Sequence, residues 1–88
     1  MGPSYASAGP ARGPLRYGEV PGAIGVLEVF DNPMPVGMAL CVGWDSDGLA
    51  VWTLAVRGDE LPGQWHVIDG EFRSATDPGP IQPGRPDA

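Results

Sequence analysis

Three features of the sequence predict an all-β fold, a small antiparallel barrel or sandwich of about five strands with extended Gly/Pro-rich arms at its N- and C-terminal ends. The first is residues 37–57, GMALCVGWDSDGLAVWTLAVR, where two apolar, β-prone runs flank the polar turn Asp45-Ser46-Asp47-Gly48. The second is Asp69-Gly70 between two short alternating runs, a dipeptide suited to the two positive-φ positions of a type I′ hairpin turn. The third is the placement of Gly and Pro, which crowd both ends and preclude a regular helix there. No helix is predicted between them.

Eighty-eight residues allow one domain, divided into an arm over 1–22, a small β domain over 23–74 and a Pro-rich tail over 75–88. A core of that size is marginal, since a chain of about 60 residues buries only about 60% of its unfolded surface. Cys41 is alone, so no intrachain disulfide forms, and one His with one Cys cannot close a zinc site without carboxylates or a second chain. No metal or other cofactor is expected, and a protein partner or a homo-oligomer is the expected support. The net charge is −6, with five Arg and no Lys, which argues against nucleic acid and anionic membrane as ligands because both require clustered cations. The first 22 residues hold no continuous apolar run, so a signal peptide is not expected, and no segment approaches the ~20 apolar residues of a membrane span. The expected location is cytoplasmic, or a virion if the chain is of phage origin.

Within residues 1–22, Gly or Pro stands at positions 2, 3, 9, 10, 13, 14, 18, 21 and 22, which favours an extended arm and argues against a central strand. Tyr5, Leu15, Tyr17 and Val20 are the side chains such an arm could dock on another surface. Residues 24–30, IGVLEVF, read as a strand, and Asp31-Asn32-Pro33-Met34-Pro35 as a connection long enough to change sheets or cross a barrel end.

In the central hairpin a four-residue loop pairs Trp44 with Leu49, Val42 with Val51, Leu40 with Thr53 and Met38 with Ala55 on one face. The other face pairs Gly43 with Ala50, Cys41 with Trp52, Ala39 with Leu54 and Gly37 with Val56. Both faces are apolar, whereas a half-exposed antiparallel hairpin alternates apolar with polar, so cover is expected on both sides. The second hairpin, over residues 64–74, alternates cleanly: Trp65, Val67, Phe72 and Ser74 face the core, while His66, Ile68, Glu71 and Arg73 face outward. After Ser74, closely spaced prolines favour polyproline II or disorder.

Residues able to carry chemistry are few. Asp45-Ser46-Asp47-Gly48 matches the start of a calcium loop, but Gly48 falls at position four and no glutamate follows at twelve, so the stretch is read as a turn. Cys41 lies on the apolar Trp52 face as a small hydrophobe, and His66 as a solvated side chain beside Arg73, so no nucleophile and base are assigned. No carboxylate pair has a spacing that fixes a general acid and base, and the chain is not expected to be an enzyme. Three tryptophans, Trp44, Trp52 and Trp65, remain, and Trp is an enriched interface anchor.

From Asn32 to Gly70 the chain resembles the MbtH-like proteins, small partners of adenylation domains in nonribosomal peptide synthesis. The resemblance is carried by Asn32-Pro33, the strand ending in Asp45-Ser46-Asp47-Gly48, Trp52, and the run Leu61-Pro62-Gly63-Gln64-Trp65-His66-Val67-Ile68-Asp69-Gly70. It implies that Trp52 and Trp65 clasp a partner side chain. The leading expectation is a non-enzymatic structural or interaction module. It docks into a larger protein assembly through its arms and one apolar hairpin face, with Tyr5, Leu15, Tyr17, Trp44, Trp52 and Trp65 as partner-binding residues. A virion head decoration (cement) or minor structural protein is its most concrete form, by analogy of architecture. The alternatives are an MbtH-like partner of an adenylation domain and a small ligand-binding β-barrel.

Overall fold

A computed structural model of the chain describes residues 5–10, 25–75 and 79–82. They form seven strands: β1 Tyr5–Pro10, β2 Gly25–Asp31, β3 Met34–Trp44, β4 Ala50–Val56, β5 Asp59–Glu60, β6 Gln64–Ile68 and β7 Glu71–Ala75. Six of them close an antiparallel barrel in the order β3-β2-β1-β7-β6-β4, with β4 returning to β3 and the two-residue β5 as an extra strand on β4. Closure leaves these six strands without an open long edge, which suits a domain too small to cover one with a helix. The all-β expectation holds in its barrel form, with seven strands in place of about five.

One added strand lies where an arm was expected. Tyr5–Pro10 sits inside the wall, with Ala6 opposite Phe30 and Ser7 opposite Val29 on β2, and Tyr5 opposite Phe72 on β7. Local sequence does not favour this, and long-range pairing overrides it; Gly9 and Pro10 fall at the strand's end beyond a register shift, where a missing amide donor is tolerated. The connection after β2 also differs from expectation. Asn32-Pro33, a cis peptide, closes a tight turn, so Met34 and Pro35 already pair with Asp31 and Phe30. Leu15, Tyr17 and Val20 lie outside the described residues.

The β3–β4 hairpin follows the expected register from Gly37↔Val56 to Cys41↔Trp52 and then slips by one residue, pairing Gly43 with Val51 and Trp44 with Ala50. The bulge moves Trp44 to the face of Ala50 and Trp52. Gly43 makes it possible: its φ is +154°, and a Cβ there would stand 2.7 Å from Ile81 Cγ2 and 2.8 Å from the Gln82 carbonyl oxygen. The approach lies along the edge of β3 beyond the Gly25↔Cys41 pair. Gln82 takes this edge, donating its amide to the Trp44 carbonyl at 2.8 Å and accepting the Trp44 amide at 3.3 Å. This part of the tail is therefore paired to the barrel at Gln82, where polyproline II or disorder was expected.

Val29, Ala39, Leu54, Val56, Trp65 and Phe72 fill the interior, with Tyr5, Leu27, Val36, Trp52, Leu61 and Val67 packed against them. Two edge-to-face aromatic pairs order this core, Tyr5 on Trp65 at 6.4 Å and Trp52 on Phe72 at 6.1 Å. Buried residues lie on both faces of the hairpin. The cover over Leu40, Val51 and Ala55 on the outer face is intramolecular, since all three are buried within this chain.

Candidate functional site

Asp45 organises the loop between β3 and β4. Its amide donates to the Leu49 carbonyl at 2.9 Å and its carbonyl accepts from Gly48 at 3.0 Å. Its Oδ1 accepts from the amides of Asp47 at 2.9 Å and Leu49 at 3.0 Å, the side-chain-to-backbone bonding of a self-contained turn.

The second carboxylate oxygen has a partner that sequence reasoning missed. His66 Nε2 lies 3.0 Å from Asp45 Oδ2, with the two side chains only 15% and 5% exposed. The angle leaves Nε2 without a directed hydrogen bond, so this is an electrostatic contact. His66 does pair with Arg73 across the hairpin, as expected, but its ring is covered, and Arg73 reaches Glu71 at 3.5 Å instead. The expectation of a solvated His66 is thereby corrected: the loop after β3 folds over β6, which no local pattern encodes. The Leu49 amide above all, then the Asp47 amide and the imidazole, hold the Asp45 carboxyl below its ordinary value of 3.8 against the opposing effect of burial.

Of the expected partner-binding residues, Tyr5, Trp44, Trp52 and Trp65 lie among the described residues, and Leu15 and Tyr17 do not. Trp65 is 5% exposed and belongs to the core of this chain; a role at a partner surface would require the barrel to open. Tyr5 rests on Trp65, and Trp52, half-buried, rests on Phe72. Trp44 is half-buried at the end of β3, beside Gln82. Cys41 is buried, contacts the Gly43 carbonyl at 3.6 Å, and has its thiol pKa raised by burial, as a small inert hydrophobe should.

Among the described residues the surface offers three large apolar side chains: Met34 at 61% exposure, Leu49 at 48% and Ile68 at 42%. Met34 stands at the start of β3, opposite Asp31. Leu49 closes the Asp45 loop at the other end of that hairpin, and Ile68 ends β6, the strand whose Trp65 pairs with Trp52 of β4. Asp47, Asp69 and Glu71, all exposed, flank this pair in sequence. The outward direction of Ile68 is legible from the alternation of residues 64–68, whereas the position of Leu49 is hidden by the bulge at Gly43.

No protein-family model, curated protein or solved structure matches this chain. The resemblance of residues 32–70 to the MbtH-like proteins thus has its motif residues alone behind it, and one of the two tryptophans it assigns to a partner is enclosed. Among the described residues no helix is long and apolar enough to cross a membrane.

Proposed function

We propose that this chain is a non-enzymatic β-barrel module that docks into a larger protein assembly through the loop end of its barrel. The observation that carries this reading is the exposure of Leu49 and Ile68, while Leu40, Val51 and Ala55 on the hairpin's outer face are buried within the chain itself. Small apolar groups with a polar rim are the usual centre of a protein contact. The rim here is acidic, and the whole chain carries −6, so the complementary partner presents an apolar side chain flanked by Lys or Arg. A decoration or minor structural protein of a virion is one concrete form of such a module.

A photo-crosslinking amino acid at position 49, with one at position 60 on β5 as the control, tests the reading in cells expressing the chain. A discrete adduct with one protein from position 49, absent from position 60 and lost on Ile68→Asp, is the expected result. Equal labelling from both positions, or labelling indifferent to Ile68→Asp, would overturn it.

A further inference from the structure

We propose that His66 is the positioning residue of the docking surface, and that a proton gained on its ring strengthens the hold of that surface on its partner. The inference rests on the docking reading above and names its regulation. It begins from how Asp45 divides its carboxylate. Oδ1 accepts the amides of Asp47 and Leu49 at 2.9 and 3.0 Å, and Oδ2 faces His66 Nε2 at 3.0 Å. Leu49 is one of the two exposed apolar side chains of the surface. Ile68, the other, follows His66 by two residues on β6 and so projects to the same side of the strand. One carboxylate therefore joins the loop that carries Leu49 to the strand that carries Ile68, and His66 is the strand's end of that link.

The charge on the ring decides how strong the link is. The Asp45 carboxyl is held below its ordinary value of 3.8, chiefly by the Leu49 amide, so it is an anion throughout the range from about pH 5 to 8 in which histidine side chains change charge. A neutral ring offers this anion no directed hydrogen bond, since Nε2 is buried without a hydrogen-bond partner. A charged ring attracts it whatever the angle. The two side chains are only 15% and 5% exposed, so solvent and salt screen less of that attraction than they would at the surface. Around His66, among the described residues, β7 places Arg73 opposite it, bridged to Glu71 at 3.5 Å, and β4 carries no charged residue. The loop adds Asp47 and the β6–β7 turn adds Asp69, both exposed. One cation against three anions offsets the cost of burying a charged ring. His66 is the single histidine of the sequence, and the Cys41 thiol, pushed up by burial, titrates above this range, so a response within it is traceable to one side chain.

Two measurements test the proposal. The first needs no partner: hydrogen exchange of the Leu49 and Asp47 amides, whose acceptor is Asp45 Oδ1, each expressed as protection relative to an unstructured chain at the same pH. Protection is expected to rise several-fold from about pH 7.5 to about pH 5.5, to show no such rise in His66→Gln, and to stay level at Thr53, opposite Leu40 in the β3–β4 ladder. Equal protection of Leu49 at the two pH values, or a rise that persists in His66→Gln, would overturn the proposal. The second is the yield of the photo-crosslinked adduct from position 49 at the same two pH values, with and without His66→Gln. A yield at least about fivefold greater at the lower pH, the lower end of ordinary coupling between sites, is expected in the parent and not in His66→Gln. Asp45→Asn keeps an Oδ1 acceptor for both amides and removes the charge, so it should abolish the difference too. An adduct formed equally at both pH values overturns the inference and leaves the docking reading standing. No adduct at either pH removes the docking reading itself, and this inference with it.

Discussion

The β3–β4 and β6–β7 hairpins share one barrel wall but are held in it by different means. β3 is laddered to β2 from Gly25↔Cys41 to Asp31↔Met34, so backbone pairing alone fixes where the first hairpin lies. β6 meets β4 through Trp52↔Trp65, and β7 meets β1 through Tyr5↔Phe72 and Ala6↔Glu71. With so little ladder among the described residues on either side, side chains help position the second hairpin: Trp65 against Tyr5, Phe72 against Trp52, and His66 against Asp45. The lesson is that truncating a side chain threatens β6–β7 most, whereas β3–β4 is sensitive to the backbone itself.

The largest effect expected is therefore that of Phe72→Ala. Phe72 is fully buried and holds the Trp52 contact across the thin seam, and such truncations cost about 3–5 kcal/mol. Against the ~5–15 kcal/mol of a typical domain this is a large fraction, read as a lowered urea midpoint. Hydrogen exchange sharpens the comparison, because β6–β7 amides should lose protection well before those of β3–β4. Equal loss in both hairpins would show that the wall is one cooperative unit. Next comes Gly37→Ala in the first hairpin. A Cβ at Gly37 would fall on the Ala55 carbonyl, so the ladder itself must shift, at about 1–3 kcal/mol. A neutral Gly37→Ala, by the same urea measurement, would mean that the β3–β4 ladder is looser than its register indicates.

The two hairpins also differ in how far the sequence disclosed them. Clean alternation and Asp69-Gly70 were enough for the register of β6–β7 from Trp65↔Ser74 to Ile68↔Glu71. In β3–β4 the register was legible from Gly37 to Cys41 and then lost, because the bulge at Gly43 answers to Ile81 and Gln82 almost forty residues away. β1 was hidden for the same reason: YASAGP has no strand pattern of its own and is fixed by partners on β2 and β7. The Asp45–His66 contact joins a loop and a strand that neither motif nor spacing links. Of the candidate surface, Ile68 was readable from alternation and Leu49 was not.

The Asp45–His66 contact gives the third prediction, since it is the electrostatic part of what holds β6. Native Asp45 titrates below its ordinary value of 3.8, so its charged form stabilises the fold. That contribution is whole above the ordinary value and is lost as the pH falls through the lowered one. Asp45→Asn should flatten the acid limb of a stability–pH curve below about pH 4. His66→Gln should flatten it less, because the Leu49 amide, the larger cause, remains. An acid limb unchanged by Asp45→Asn would remove this carboxylate from the account of how the loop is fixed on β6.

The smallest effect belongs to a turn, and it separates backbone from charge. β4 and β5 are joined by Arg57-Gly58 with φ of 52° and 86°, the same geometry as Asp69-Gly70 at 54° and 79°. Asp is at home in that conformation, while Arg is not among the residues that favour it. Arg57 instead pairs with Asp31 at 3.1 Å, but both side chains are more than half exposed, where such a bridge contributes about 0–1 kcal/mol. Arg57→Asn removes the bridge and installs a residue suited to positive φ. Its urea midpoint should stay within about 0.5 kcal/mol of the parent, on the stabilising side. A loss beyond that would show that the Arg57–Asp31 bridge, rather than the turn's conformation, ties the β2–β3 turn to the β4–β5 turn.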